Sequence, residues 1–236
     1  MPQLFPSYSN TLARLLPVGL VLGLGGIAWA WHAAIFSSYA TGTHVPVEQP
    51  VPFSHKHHVA GLGIDCRYCH TSVETSSFAG IPATETCMTC HSQVWEDAPV
   101  LAPVRESWTT GKPLHWTRVN NLPDYVYFNH SIHIQKGVAC VSCHGRVDEM
   151  PLMSKEHSLY MRWCLDCHRA PDAHLQPADQ VFMMKDEPTQ GPVTARLESH
   201  GEIRGEYPPY LEHGLQALHA NAKSGTKLED CSICHR

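Results

Sequence analysis

The chain has 236 residues, with 17 lysines and arginines against 22 aspartates and glutamates and a formal charge of −5. That balance argues against nucleic acid as a partner. Its 18 histidines outnumber its basic side chains and it holds ten cysteines, so ligand-type residues are in large excess for a length of one or two ordinary domains.

Residues 1–14 are polar, with Arg14 their one charged side chain. The next twenty-two, 15–36, contain no Asp, Glu, Lys or Arg. A membrane span needs about twenty such residues. Trp29, Trp31 and Phe36 gather at its far end, as an interfacial aromatic belt does. The expectation is an uncleaved transmembrane anchor over 1–36. The competing reading is a cleaved signal peptide, for which Ala28-Trp29-Ala30 would serve as the cleavage site. Gly19, Gly23 and Gly26 fall at helical spacings of four and three, where small residues let a second helix approach closely.

Residues 37–52 contain Pro46, Pro50 and Pro52 and read as an extended linker. At 53 the chain begins to repeat itself. Phe53-x-His55-x-x-His58 is followed by Cys66-x-x-Cys69-His70, and Phe128-x-His130-x-x-His133 by Cys140-x-x-Cys143-His144. His58 precedes Cys66 by eight residues and His133 precedes Cys140 by seven. Each copy adds a second site, Cys87-x-x-Cys90-His91 in the first and Cys164-x-x-Cys167-His168 in the second. Matching residue types over this length mark an internal duplication, of modules 53–111 and 112–170. Between the motifs, Trp95, Trp108, Trp116, Tyr125 and Tyr127 supply aromatic surface suited to covering a cofactor. The last stretch, 171–236, is rich in proline, so long helices are not expected. It is expected to wrap a neighbouring subunit before ending in Cys231-x-x-Cys234-His235.

All ten cysteines are thus used in five Cys-x-x-Cys-His motifs, the attachment sequence of c-type haem. A disulfide framework needs no histidine after each second cysteine. Five Cys-x-x-Cys pairs do not divide into whole four-cysteine zinc sites. The reading is five covalently bound haem c groups. Thioethers form at Cys66, Cys69, Cys87, Cys90, Cys140, Cys143, Cys164, Cys167, Cys231 and Cys234. Proximal ligands are His70, His91, His144, His168 and His235. The expected fold is a multihaem cytochrome c, with short helices around five haems, little regular secondary structure and one N-terminal transmembrane helix.

The repeat nominates His55, His58, His130 and His133 as distal ligands for four irons. The fifth is open. His157, His200, His213 and His219 are candidates, as are Met150, Met153, Met161, Met183 and Met184, with Met150 or Met161 preferred. Methionine ligation would raise that haem's potential relative to bis-histidine ligation. All five motifs are complete, which favours an electron conduit over a substrate-reducing site. Covalent haem attachment takes place outside the cytoplasm, so residues 37 onward are expected there.

The duplicated module resembles multihaem cytochromes of the cytochrome c3 and c7 type. The wider pattern resembles the pentahaem subunit of bacterial alternative complex III. It comprises one N-terminal anchor, both modules, the tract Lys112-Pro113-Leu114-His115-Trp116 leading to Leu122-Pro123-Asp124-Tyr125, and Met161-Arg162-Trp163-Cys164-Leu165-Asp166-Cys167-His168-Arg169. That resemblance implies an electron-transfer subunit of a respiratory quinol:electron acceptor oxidoreductase in the bacterial inner membrane, with its haem domain on the periplasmic side. The implied partners are an iron–sulfur subunit, quinol-oxidising membrane subunits, and a cytochrome c or oxidase as acceptor. Two rivals are a stand-alone membrane-anchored quinol dehydrogenase and a multihaem reductase.

Overall fold

The computed structural model describes residues 5–184 and 228–235. His200, His213, His219 and most of the segment expected to wrap a neighbour lie outside the described residues. The chain divides into two compact units, Met1–Val45 and Pro46–Arg236.

The first unit is dominated by helix α1, Ser9–Ile35, rich in leucine, alanine and other apolar residues and continuous through Pro17 and its glycines. Its 27 residues extend about 40 Å at 1.5 Å per residue. By length and composition it can cross a membrane, and its apolar side chains are exposed along its whole length. A one-turn helix, α2 (Ser38–Thr41), follows. Ser37 caps it by accepting from the Ala40 amide, and Gly42, at φ 67°, ends it. Part of the stretch expected to be extended is therefore helical.

The second unit is an array of short helices. A π-helix spans Lys56–Gly61. Helices α3 (Cys66–Cys69), α4 (Thr84–His91), α5 (Ala102–Thr110), α6 (His130–Gln135), α7 (Cys140–His144), α8 (Met161–Arg169) and α9 (Cys231–Cys234) follow in order. Strand pairing among the described residues is confined to isolated bridges, among them Pro46 with Ser154 and Val138 with Leu175. The core is small. Val51, Leu101 and Val104 are buried together, with Met88, Leu114 and Trp116 packed against them. No large side chain among the described residues is fully buried. The polypeptide therefore has little interior of its own, and local turns and side-chain-to-backbone hydrogen bonds hold much of the arrangement.

Each Cys-x-x-Cys pair lies on a helical turn, where residues three apart share a face. Aspartates start two of these turns: Asp65 accepts from the Arg67 amide and Asp230 from the Ser232 amide. The extra residue in the first module is absorbed locally. Val138 N–H donates to the His133 carbonyl, and Ile64 N–H, at the matching place, donates to His58. One hydrogen-bonded loop spans five residues and the other six, and the wider π-turn accommodates the difference.

Candidate haem sites

The repeated phenylalanines explain themselves in the structure. Phe53 meets His55 edge-on, at 4.8 Å and 87°, and stacks on His58 at 4.3 Å and 23°. Phe128 meets His130 at 4.8 Å and 89°, and stacks on His133 at 4.4 Å and 27°. One ring thus orients both histidines of its pair, in the same way in each copy.

Those histidines face the motif histidines. The ring centroids of His58 and His91 are 6.2 Å apart, those of His130 and His144 6.3 Å, and those of His133 and His168 6.2 Å. Two imidazoles that hold one metal ion from opposite sides, with metal–nitrogen bonds of about 2.0 Å as for zinc, have centroids about 6 Å apart. His130 and His144 are within 5° of parallel, whereas His58 and His91 are inclined at 68°. His55 has His70 as its strongest electrostatic neighbour, followed by His58 and His144. Ring geometry thus sets His58 against His91, His130 against His144 and His133 against His168.

The other ring nitrogens are anchored. Nδ1–H of His58 donates to the Ser54 carbonyl at 2.8 Å, His70 to Gly80 at 2.6 Å, His91 to Val94 at 3.0 Å and His130 to Ser77 at 2.9 Å. His133 donates to Asn129 at 2.7 Å, His168 to Leu228 at 2.9 Å and His235 to Tyr125 at 3.0 Å. His144 Nδ1 lies 3.0 Å from the Asn120 carboxamide. A proton fixed on Nδ1 leaves the Nε2 lone pair free for a metal and makes it more basic. Buried His55 Nδ1 has no protein partner. Burial, then the neighbouring His70, pushes the His55 pKa down to about 4. Burial, then His130, does the same for His144, again to about 4. Burial also lowers that of His133. These rings stay neutral at neutral pH, the form in which imidazole binds a metal.

None of the ten cysteines is paired in a disulfide. Their neighbours give the order of the motifs in space. Cys69 is flanked by Cys87, and Cys66 by Cys140. Cys143 is flanked by Cys167 and Cys164, and Cys164 by Cys234. Burial, more than these thiol neighbours, pushes the Cys143 thiol up to about 12. The motifs therefore form one row, that of Cys87 first, then those of Cys66, Cys140, Cys164 and Cys231. The last motif is docked by Tyr127 N–H donating to the Cys234 carbonyl and by Tyr125, whose ring stacks on His235 at 5.8 Å.

The residues fit haem c. At every motif two thiols share a helical face and a histidine follows, and at those of His91, His144 and His168 a second imidazole stands opposite at the spacing a shared metal requires. Among the described residues no group of three or more His, Cys, Asp or Glu side chains converges as a closed zinc site would need. The preferred methionines lie apart from one another. Met150 sits beside the first module, its carbonyl accepting from Lys56 N–H and its sulfur from the Ser154 hydroxyl. Met161 begins α8 and is two-thirds exposed. His157 stacks on Trp163. Sequence reasoning did not find the anchoring carbonyls or Asn120. A main-chain acceptor leaves no residue-type signal, and Asn120 lies 24 positions from its partner.

No protein-family model matches the chain. Over 128 residues it is 39% identical to the menaquinone reductase multiheme cytochrome c subunit of Nitratidesulfovibrio vulgaris. The match covers 54% of this chain and 56% of that protein, so the chain spans little more than half the length of this curated relative. The chain is thus a homologue of a multihaem cytochrome c, helical with little strand and with one apolar N-terminal helix.

Proposed function

We propose that this chain carries five haem c groups and is the electron-transfer subunit of a quinone-linked membrane complex. The observation that carries the reading is the set of opposed imidazole pairs, at 6.2 to 6.3 Å, with Nδ1 protons tied to acceptors. Haem c, when bound, supplies reversible one-electron chemistry. The chain's residues hold the five groups in a row and exclude competing ligands. His55 and His70, His58 and His91, His130 and His144, and His133 and His168 would hold four of the groups in pairs. For the group at His235 the second residue to hold it would be Met161 rather than Met150. Met161 stands one helical turn before Cys164, on the face where that thiol meets Cys234.

Helix α1 serves as a single-pass anchor, with residues 37 onward in the periplasm. The finer reading is that of an alternative complex III. An iron–sulfur subunit passes on electrons from quinol-oxidising membrane subunits, and a cytochrome c or oxidase receives them. The identity to a menaquinone reductase subunit favours a second reading, in which a sister complex runs toward menaquinone reduction. The test is to purify the native complex and assay both directions. Net quinol oxidation with an acceptor supports the first reading, and net menaquinone reduction the second. The isolated chain in lipid should accept electrons from a chemical reductant but turn over no quinol. Quinol turnover by the isolated chain at the rate of the complex would instead make it a stand-alone dehydrogenase.

A further inference from the structure

Among the anchored histidines, His144 differs in kind. The other Nδ1 partners are main-chain carbonyls, whereas His144 faces a side chain, the carboxamide of Asn120 at 3.0 Å. Asn120 belongs to the stretch of the second module that precedes Phe128. That stretch is held in place by Gln49, whose amide donates to the Thr117 carbonyl at 2.9 Å and accepts from Thr117 N–H at 2.8 Å. The position is a special one. His144 follows Cys143, and its motif is the middle of the row, where the first module meets the second through Cys66 and Cys140.

The two ends of a carboxamide are told apart by the hydrogen bonds they make. As placed, the NH2 group faces His144, with Nδ2 3.0 Å from Nδ1, and would donate to it. The imidazole proton would then sit on Nε2, the nitrogen that must bind the metal. With Oδ1 toward the ring that conflict vanishes: His144 Nδ1–H donates to Oδ1 and Nε2 is free. The far end of the carboxamide is buried without a protein partner in either orientation, so the tautomer decides between them. We infer that Asn120 is a positioning residue, which fixes the His144 tautomer through Oδ1 and tunes the redox potential of the central site. This rests on the haem reading above.

The lever is the strength of the acceptor. A stronger acceptor gives the imidazole more anionic character and favours the oxidised metal, and loss of the acceptor does the reverse. A main-chain carbonyl cannot be retuned by substitution, but this one can. The experiment is a redox titration of the full chain in its native complex, followed optically and by electron paramagnetic resonance at neutral pH. Asn120→Asp should move one of the five transitions to lower potential. Asn120→Leu, of similar size, should move the same transition to higher potential, and both should leave the other four in place. Shifts of the same sign in the two variants would reduce Asn120 to a spacer and overturn the inference, as would the absence of any shift with the covalent haem complement intact. An unsubstituted chain whose mass carries no haem would overturn the underlying reading instead, and the two failures are thereby told apart.

Discussion

The two modules are copies in how a phenylalanine orients its pair of histidines and individuals in what surrounds that pair. Phe53 and Phe128 hold their histidine pairs at ring distances that agree within 0.1 Å. Behind the rings the copies diverge. His130 is tied to the Ser77 carbonyl of the other module, whereas its counterpart His55 has a buried Nδ1 with no protein partner. His70 leans on a main-chain carbonyl, whereas its counterpart His144 leans on Asn120. The difference teaches where a duplicated cofactor protein can vary. The phenylalanine–histidine geometry is retained. The outer hydrogen bonds set ligand basicity and are free to be altered copy by copy.

The strongest way to break this comparison is to remove equivalent distal ligands. His55→Ala and His130→Ala should each convert one low-spin haem to high spin while leaving the covalent haem count unchanged, as read by optical spectra and mass. An unaltered low-spin spectrum in either fully loaded variant would remove that histidine from the ligand set. A smaller effect sharpens the comparison at the glycines three residues before each motif. Gly63 and Gly137 both have positive φ, 69° and 89°. A Cβ on Gly63 meets open space, but on Gly137 it would lie 2.6 Å from the Gln176 carbonyl oxygen. Gly63→Ala should cost about 1 kcal/mol for the left-handed backbone alone. Gly137→Ala should cost about 3 kcal/mol, because a backbone must also move. Denaturant unfolding of the loaded chain reads both, and equal losses would contradict the asymmetry. The smallest effect concerns the caps. Asp65 starts α3 with a side-chain hydrogen bond, whereas Ala139, its counterpart before α7, makes none. Asp65→Ala should cost about 1 kcal/mol. Hydrogen bonding to Arg67 holds the Asp65 carboxyl below its usual range. Its contribution is therefore present above the unfolded carboxylate pKa and fades as pH falls through the lower folded value.

Much of the site was legible because its chemistry demands particular residue types at fixed spacing. The Cys-x-x-Cys-His motifs and the Phe-x-His-x-x-His repeat state which side chains converge, and the rings of His58, His130 and His133 stand opposite His91, His144 and His168. Pairing and order were not legible. Both depend on contacts between distant segments, such as Cys66 with Cys140, that no periodicity encodes. The π-helix at Lys56–Gly61 could have been suspected from the one-residue excess between His58 and Cys66, but an insertion does not say how it is absorbed. The helical turn at Ser38–Thr41 was missed because the prolines begin only at Pro46.

The central claim is that every Cys-x-x-Cys-His motif carries a covalent haem. The most direct test is the intact mass of the native chain, taken from membranes under denaturing conditions. The account predicts the polypeptide mass plus five haem additions. Fewer additions, with the remaining thiols still open to alkylation, would contradict it.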